Sequence, residues 1–325
     1  MGTNMHEHLI KPLRIAAINF EENAQAGFPG LGPGNAKEEL WLNGREHLEG
    51  MNLNFSWGIH KGIGEWHVGA KLHSHPYPEC LFFVGLDTAN INYLGAEVEI
   101  CLGDEREIYT FNDPTVVIIP ADMPHGAIAT KRLFSPRGFG FFAVGLGASS
   151  EISWLNAKGA GAPATSSECA RLVKSLKPYV KIERGVSDFS TSTAQQLESQ
   201  TQYKFGPGHA DHLVRLNGKD LGMNASVSWG FFSRPGIWDR GVNAHVHPAG
   251  EIMIFMGVDP NNSEDLGAEV EIDLGKEHER YFIDKPSVVL CPEGLPHSPI
   301  ITRWVDRPFA FILIDMAGEE TRSYQ

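Results

Sequence analysis

The chain has 325 residues, 42% hydrophobic and 21% charged, with a formal net charge of −13. That balance is ordinary for a globular protein of about two domains, and its acidity argues against nucleic acid, whose phosphates are held by clustered Lys and Arg. No stretch is apolar enough to span a membrane, the N-terminus lacks the basic-then-apolar pattern of a secretory signal, and Cys80, Cys101, Cys169 and Cys291 form no CxxC, so the expectation is a cytoplasmic protein with reduced thiols.

In chain order, strand signals come first at Glu79–Val84, Thr115–Ile119 and Phe139–Val144, all short, β-branched or aromatic, and fenced by Gly, Pro, Asn or Asp. A run of small residues, 157–167, reads as a linker. A helix is expected over Ser167–Lys177, capped by Ser166 or Ser167 and stopped by Pro178. Strand signals then return at Glu251–Met256, Ser287–Leu290 and Phe309–Ile314.

The two halves repeat. His73-Ser-His75-x-x-x-Glu79 with a later His125 becomes His245-Val-His247-x-x-x-Glu251 with a later His297, each ligand-type residue 172 positions after its counterpart. Leu94-Gly-Ala-Glu-Val-Glu-Ile100 recurs letter for letter as Leu266–Ile272, and Trp57/Trp229 and Trp66/Trp238 keep the same offset. Gly32-Pro-Gly34/Gly206-Pro-Gly208 and Leu42-Asn-Gly44/Leu216-Asn-Gly218 are offset by 174, a two-residue indel. Two copies of a long period indicate homologous domains, each large enough for its own core. Two imidazoles at i and i+2 on a strand share a face, and the Glu four residues on is expected on that face too. With a His returned by each Pro-rich turn (120–125, 292–297), His73, His75, Glu79, His125 and His245, His247, Glu251, His297 are two candidate divalent-metal ligand sets.

These motifs resemble those of the cupins. Gly69, His73, His75, Glu79, Gly85 and Gly241, His245, His247, Glu251, Gly257 follow the first cupin motif with shortened flanks; Pro292, Gly294, His297 follow the second, as do Pro120 and His125 with Asp122 in place of Gly. The resemblance implies a bicupin: all-β, two double-stranded β-helix (jelly-roll) barrels with a short helical linker, residues 1–150, 151–200 and 201–325. It implies a divalent metal, Fe2+ or Mn2+ first and Ni, Cu or Zn as other fits, and an oligomer, with the Gly-Pro-Gly arms as candidates for the reach. The activity it suggests first is a dioxygenase acting on a small phenolic or enediol substrate. The alternatives are a non-oxidative lyase, isomerase or decarboxylase and, last, a binding or storage protein.

The copies differ around the ligands. Lys71 stands two residues before His73, where the second copy has Asn243; Tyr77 lies between two prolines, where the second has Ala249 and Gly250; Arg240 replaces Val68. Lys71, Tyr77, Arg240 and Asn243 are therefore the candidate substrate-handling residues. An ammonium facing the first cluster would weaken cation binding there, so catalysis is expected mainly in the second. The repeated tryptophans are read as scaffold, and Glu97, Glu99, Glu269 and Glu271 as the solvated side of half-buried strands.

Overall fold

The computed structural model describes residues 4–13, 16–17, 32–36, 38–67, 71–155, 162–163, 168–176, 210–238, 244–318 and 323–324. It is all-β apart from single helical turns, and divides into two compact units: Ile15–Pro178, and Tyr179–Gln325 together with Met1–Arg14.

Each unit is a pair of mainly antiparallel sheets. In the N-terminal unit one sheet runs, neighbour to neighbour, Val173–Ser175, Thr115–Ile119, Glu79–Gly85, Phe139–Gly145, Asn54–His60, Glu38–Asn43 and Ala16–Ala17. The other runs Ser153–Trp154, Leu72–Ser74, His125–Leu133, Ala96–Leu102, Glu107–Phe111 and Ala162–Pro163. The C-terminal unit repeats the plan, with Ile10–Pro12, Ser287–Cys291, Glu251–Gly257, Phe309–Asp315, Ser226–Phe232 and His212–Leu216 in one sheet. Its second sheet holds Glu279–Ile283, Ala268–Leu274, His297–Val305, His245–Val246 and Ser323–Tyr324.

Period-two alternation aims Leu81, Phe83, Val117, Ile119 and Phe139 at Val98, Ile100 and Leu102 across the first barrel, and Met253, Phe255, Val289, Phe309 and Phe311 at Val270, Ile272 and Leu274 across the second. A tryptophan anchors each core: Trp66 Nε1 donates to Thr130 Oγ1 at 2.9 Å, and Trp238 Nε1 to Thr302 Oγ1 at 2.7 Å. These two are scaffold, as their repetition implied. Gly85 and Gly257, which close the strands opened by the two glutamates, lie so near the carbonyls of Tyr93 and Asp265 that no Cβ fits. The Leu-Asn-Gly landmark is a turn in which Asn43 Oδ1 accepts from Glu46 N at 2.8 Å and Asn217 Oδ1 from Asp220 N at 2.9 Å.

The helix expected over Ser167–Lys177 does not form in its described part, residues 168–176. Ala170–Leu172 makes one 3-10 turn, and Val173–Ser175 is a strand paired with Thr115–Val117. An eleven-residue helix is marginal alone, whereas this segment buries Leu172 and Leu176 while its backbone completes a sheet edge. The N-terminal arm behaves alike: a 3-10 turn at Glu7–Leu9, then Ile10–Pro12 paired with Ser287–Val289. Leu9-Ile-Lys-Pro-Leu13 and Leu172-Val-Lys-Ser-Leu176 are thus a further repeated element. Each precedes one barrel in the chain and edges a sheet of the other, so the first fourteen residues belong with the C-terminal unit rather than with the N-terminal domain expected over 1–150. Glu279 latches the first arm, accepting from the backbone N–H of Met5 at 3.0 Å and of His6 at 3.1 Å and from Tyr281 Oη at 2.6 Å. The Gly32-Pro-Gly34 arm is bonded to its own barrel, Gly32 N donating to Trp66 O at 2.7 Å; Gly206-Pro-Gly208 lies outside the described residues.

Three of the four repeated glutamates sit half-buried, Glu99 pairing with Lys131 at 3.0 Å. Glu271 departs from the expected solvated face: it is buried, with Arg280 at 2.8 Å and Arg303 at 3.1 Å covering it.

Candidate metal centre

The motif is a corner, not one strand. His73 lies in Leu72–Ser74 of one sheet, the chain turns through Pro76-Tyr77-Pro78, and Glu79 opens a strand of the facing sheet. His245 and Glu251 are divided between sheets in the same way. The expectation that the Glu shares the strand face of the two imidazoles is therefore replaced by convergence from two walls. The fourth residue arrives by pairing, His125 opposite His73 and His297 opposite His245.

Just past each of these histidines the ladder shifts register, and the backbone enters positive φ at Gly126 (φ 124°) and at Ser298 (φ 90°). A bulge there turns the imidazole inward while the strand continues along the wall. At Gly126 a side chain would come within 2.9 Å of Lys71 O and 3.1 Å of His73 Nδ1.

The two centres match closely. Ring centroids are separated by 4.3 Å (His73 to His125), 5.0 Å (His73 to His75) and 5.2 Å (His75 to His125) in one, and by 4.3, 4.9 and 5.2 Å between the corresponding rings of His245, His247 and His297. A Glu79 oxygen lies 3.6 Å from His75 Nε2 and 3.4 Å from His125 Nε2; Glu251 oxygens lie 3.2 Å from His247 Nε2 and 3.3 Å from His297 Nε2. Two atoms each about 2.1 Å from one ion, seen from it at 90–110°, are about 3.0–3.4 Å apart. The donor spacing therefore suits a single divalent ion in each barrel.

The imidazoles are also oriented for it. Backbone carbonyls of Glu151, Met123 and Leu295 take the Nδ1 sides of His75 (2.7 Å), His125 (2.9 Å) and His297 (3.1 Å), which turns Nε2 toward the glutamate. Burial, then the neighbouring imidazoles of His125, His75 and His67, hold His73 well below the usual histidine range, so it presents lone pairs. In the second barrel burial opposes charge on both partners, yet Cys291 and Glu251 raise His297 well above its ordinary value, and the hydrogen bond from His297 brings Glu251 down to about 2. A proton shared between them is what an entering dication would displace.

Of the residues singled out beside the ligands, Arg240 and Asn243 lie outside the described residues. Lys71 is exposed, contrary to the expectation that its ammonium faces the first cluster; only its carbonyl approaches, accepting from Ala127 N at 3.1 Å. Tyr77 is buried, stacked on His75 with ring centroids 5.1 Å apart, and its ring fills the space over Gly145 and Gly147. It lines the wall behind the ligands.

Several neighbours carried no motif signal. In the N-terminal barrel Trp154 stands 5.1 Å from His73 and 6.0 Å from His67, centroid to centroid. In the C-terminal barrel Asp315 has a donor atom within 4.8 Å of those of His247 and Glu251, and the Cys291 thiol is as near Glu251 and His297. Burial and the Glu251 charge push Asp315 up to about 7, and burial raises Cys291. Strand register could have found both, because Asp315 and Cys291 pair directly with Glu251 on either side.

No family model matches the sequence, and no curated protein resembles it significantly. Solved structures do. A point mutant of Bacillus subtilis oxalate decarboxylase superposes with a TM-score of 0.56 at 12% identity, covering 90% of this chain and 76% of that one. A structure from work on the Mn(II) centres of the same enzyme gives 0.55 at 11%, covering 91% and 77%, and the enzyme at pH 4.6 gives 0.53 at 12%, covering 91% and 76%. At such identity the likeness establishes the fold: two cupin barrels in one chain.

Proposed function

We propose that this chain is a metal-dependent bicupin enzyme that acts without net oxidation on a small carboxylate, as a lyase or decarboxylase. The observation that carries this reading is the pair of His/His/His/Glu clusters with the same ring spacings in two oxalate-decarboxylase-like barrels. His73, His75, Glu79 and His125 would hold one divalent ion and His245, His247, Glu251 and His297 the other, with Mn2+ favoured by the Mn(II) centres of the related structure and by the borderline N and O donors. A bound divalent ion supplies Lewis acidity toward a carboxylate oxygen. The residues' own part is to present neutral imidazoles, keep a buried carboxylate opposite them, and shed competing water.

A dioxygenase acting on a phenol ranks second, for a physical reason. The large aromatic side chains of the barrels are spent on packing: Trp66 against Phe139 and Phe141, and Trp238 against Phe232 and Phe311. The second centre is instead backed by Asp315, Arg215 and Ser226. Mn2+-loaded protein should release CO2 from a member of a panel of small mono- and dicarboxylates without consuming stoichiometric O2, and His247→Ala should abolish it. Turnover only of phenols, with O2 uptake matching product, would assign the chain to the other class.

A further inference from the structure

The two centres share their ligand geometry but not what stands behind the glutamate. Register places Asp315 opposite both Glu251 and Ser226; the same register places Gly145 opposite Glu79 and Asn54. Asp315 has a carboxylate oxygen within 4.8 Å of the ligand atoms of Glu251 and His247. Its Oδ2 is held on the other side by Ser226 Oγ at 2.8 Å, with Arg215 Nη2 at 3.6 Å. All four side chains are buried. Arg215 pairs with Ser228 across the sheet, and the residue at that place in the first barrel is Trp41, paired with Ser56 and half exposed. Where Asp315 would stand, the first barrel has the Asn54 amide and the Tyr77 ring over Gly145.

We propose that Asp315 is a positioning residue for Glu251: fixed by Ser226 and Arg215, it holds the Glu251 carboxylate in one orientation and makes the C-terminal centre bind a divalent cation more tightly than the N-terminal centre. This rests on the metal reading given above. A carboxylate on a strand end samples several rotamers, and one already held toward its imidazoles loses less freedom when the cation enters. Outer partners of this kind are worth roughly 10–100-fold in metal affinity. The first barrel has no side chain at Gly145 to play this part, and Glu79 is flanked there by His75 and His125.

The test is titration with Mn2+ alone, following free Mn2+ by electron paramagnetic resonance, with His75→Ala isolating the C-terminal centre and His247→Ala the N-terminal one. The C-terminal centre should be the tighter, and Asp315→Ala should weaken it by about 10–100-fold while the N-terminal centre of the same molecule is unchanged. Asp315→Asn, which keeps the shape and a hydrogen-bonding group between Ser226 and Glu251, should recover most of the affinity. Because Asp315→Ala strands the Arg215 charge, Asp315→Ala with Arg215→Met keeps the test sound for folding and should remain weak. Wild-type affinity in Asp315→Ala, or an Asn variant as weak as the Ala variant, overturns the positioning role alone. If neither wild-type centre takes Mn2+, this inference and the metal reading fall together.

Discussion

The two barrels hold the same three imidazoles and one carboxylate at nearly the same separations, yet several residues behind those side chains differ. The N-terminal wall is aromatic and glycine-rich, with Tyr77 on His75 and His60 stacked on Trp66 at 3.7 Å. The C-terminal wall is ionic, with Asp315, Arg215 and Cys291, and at the place of His60 it has Phe232, stacked on Trp238 at 3.9 Å. The repeat thus keeps the four clustered side chains and varies what stands behind them.

His60 offers the largest expected effect. It is fully buried, and burial lowers it from 6.5 to about 3 although Gly34 O accepts from its ring. The unfolded chain therefore binds a proton that the folded one refuses between those values. Stability contributed by the neutral ring is complete above about pH 6.5 and lost as pH falls toward 3, up to about 5 kcal/mol for a shift of this size. His60→Phe, which copies the other barrel, should flatten the acid limb of the N-terminal unit's unfolding curve; an unchanged limb would mean the ring is not buried neutral.

A smaller effect should be equal in the two barrels. Thr130→Val and Thr302→Val each leave a buried indole N–H without its acceptor. Each should cost about 1–3 kcal/mol, with the two values close to each other. Strongly unequal losses by denaturant titration would show that the tryptophans do not carry matching loads.

Smallest is the release of the first arm. Glu279→Ala removes the acceptor for Met5, His6 and Tyr281, so amide exchange at residues 5–11 should quicken while the Ala268–Leu274 strand stays protected. Unaltered exchange in the arm would move the latch to the Ile10–Pro12 pairing alone.

The two His/His/His/Glu clusters and the all-β class were legible because both depend on local spacing, repeated twice. The corner between His75 and Glu79 was not, since a period-two pattern reads the same whether the chain continues or turns into the facing sheet. The helix expected at Ser167–Lys177 failed for a related reason: its caps and propensity are local, while the vacant edge beside Thr115–Ile119 is not. Asp315 was hidden because nothing in Phe309–Asp315 marks its last residue until the register sets it against Glu251.

If each barrel holds one divalent ion, counting the metal retained by the intact chain will show it. After loading with Mn2+ and removal of free ion, the wild type should retain two ions per chain, His75→Ala and His247→Ala one each, and the double variant none. Retention of the wild-type amount by the folded double variant would contradict it.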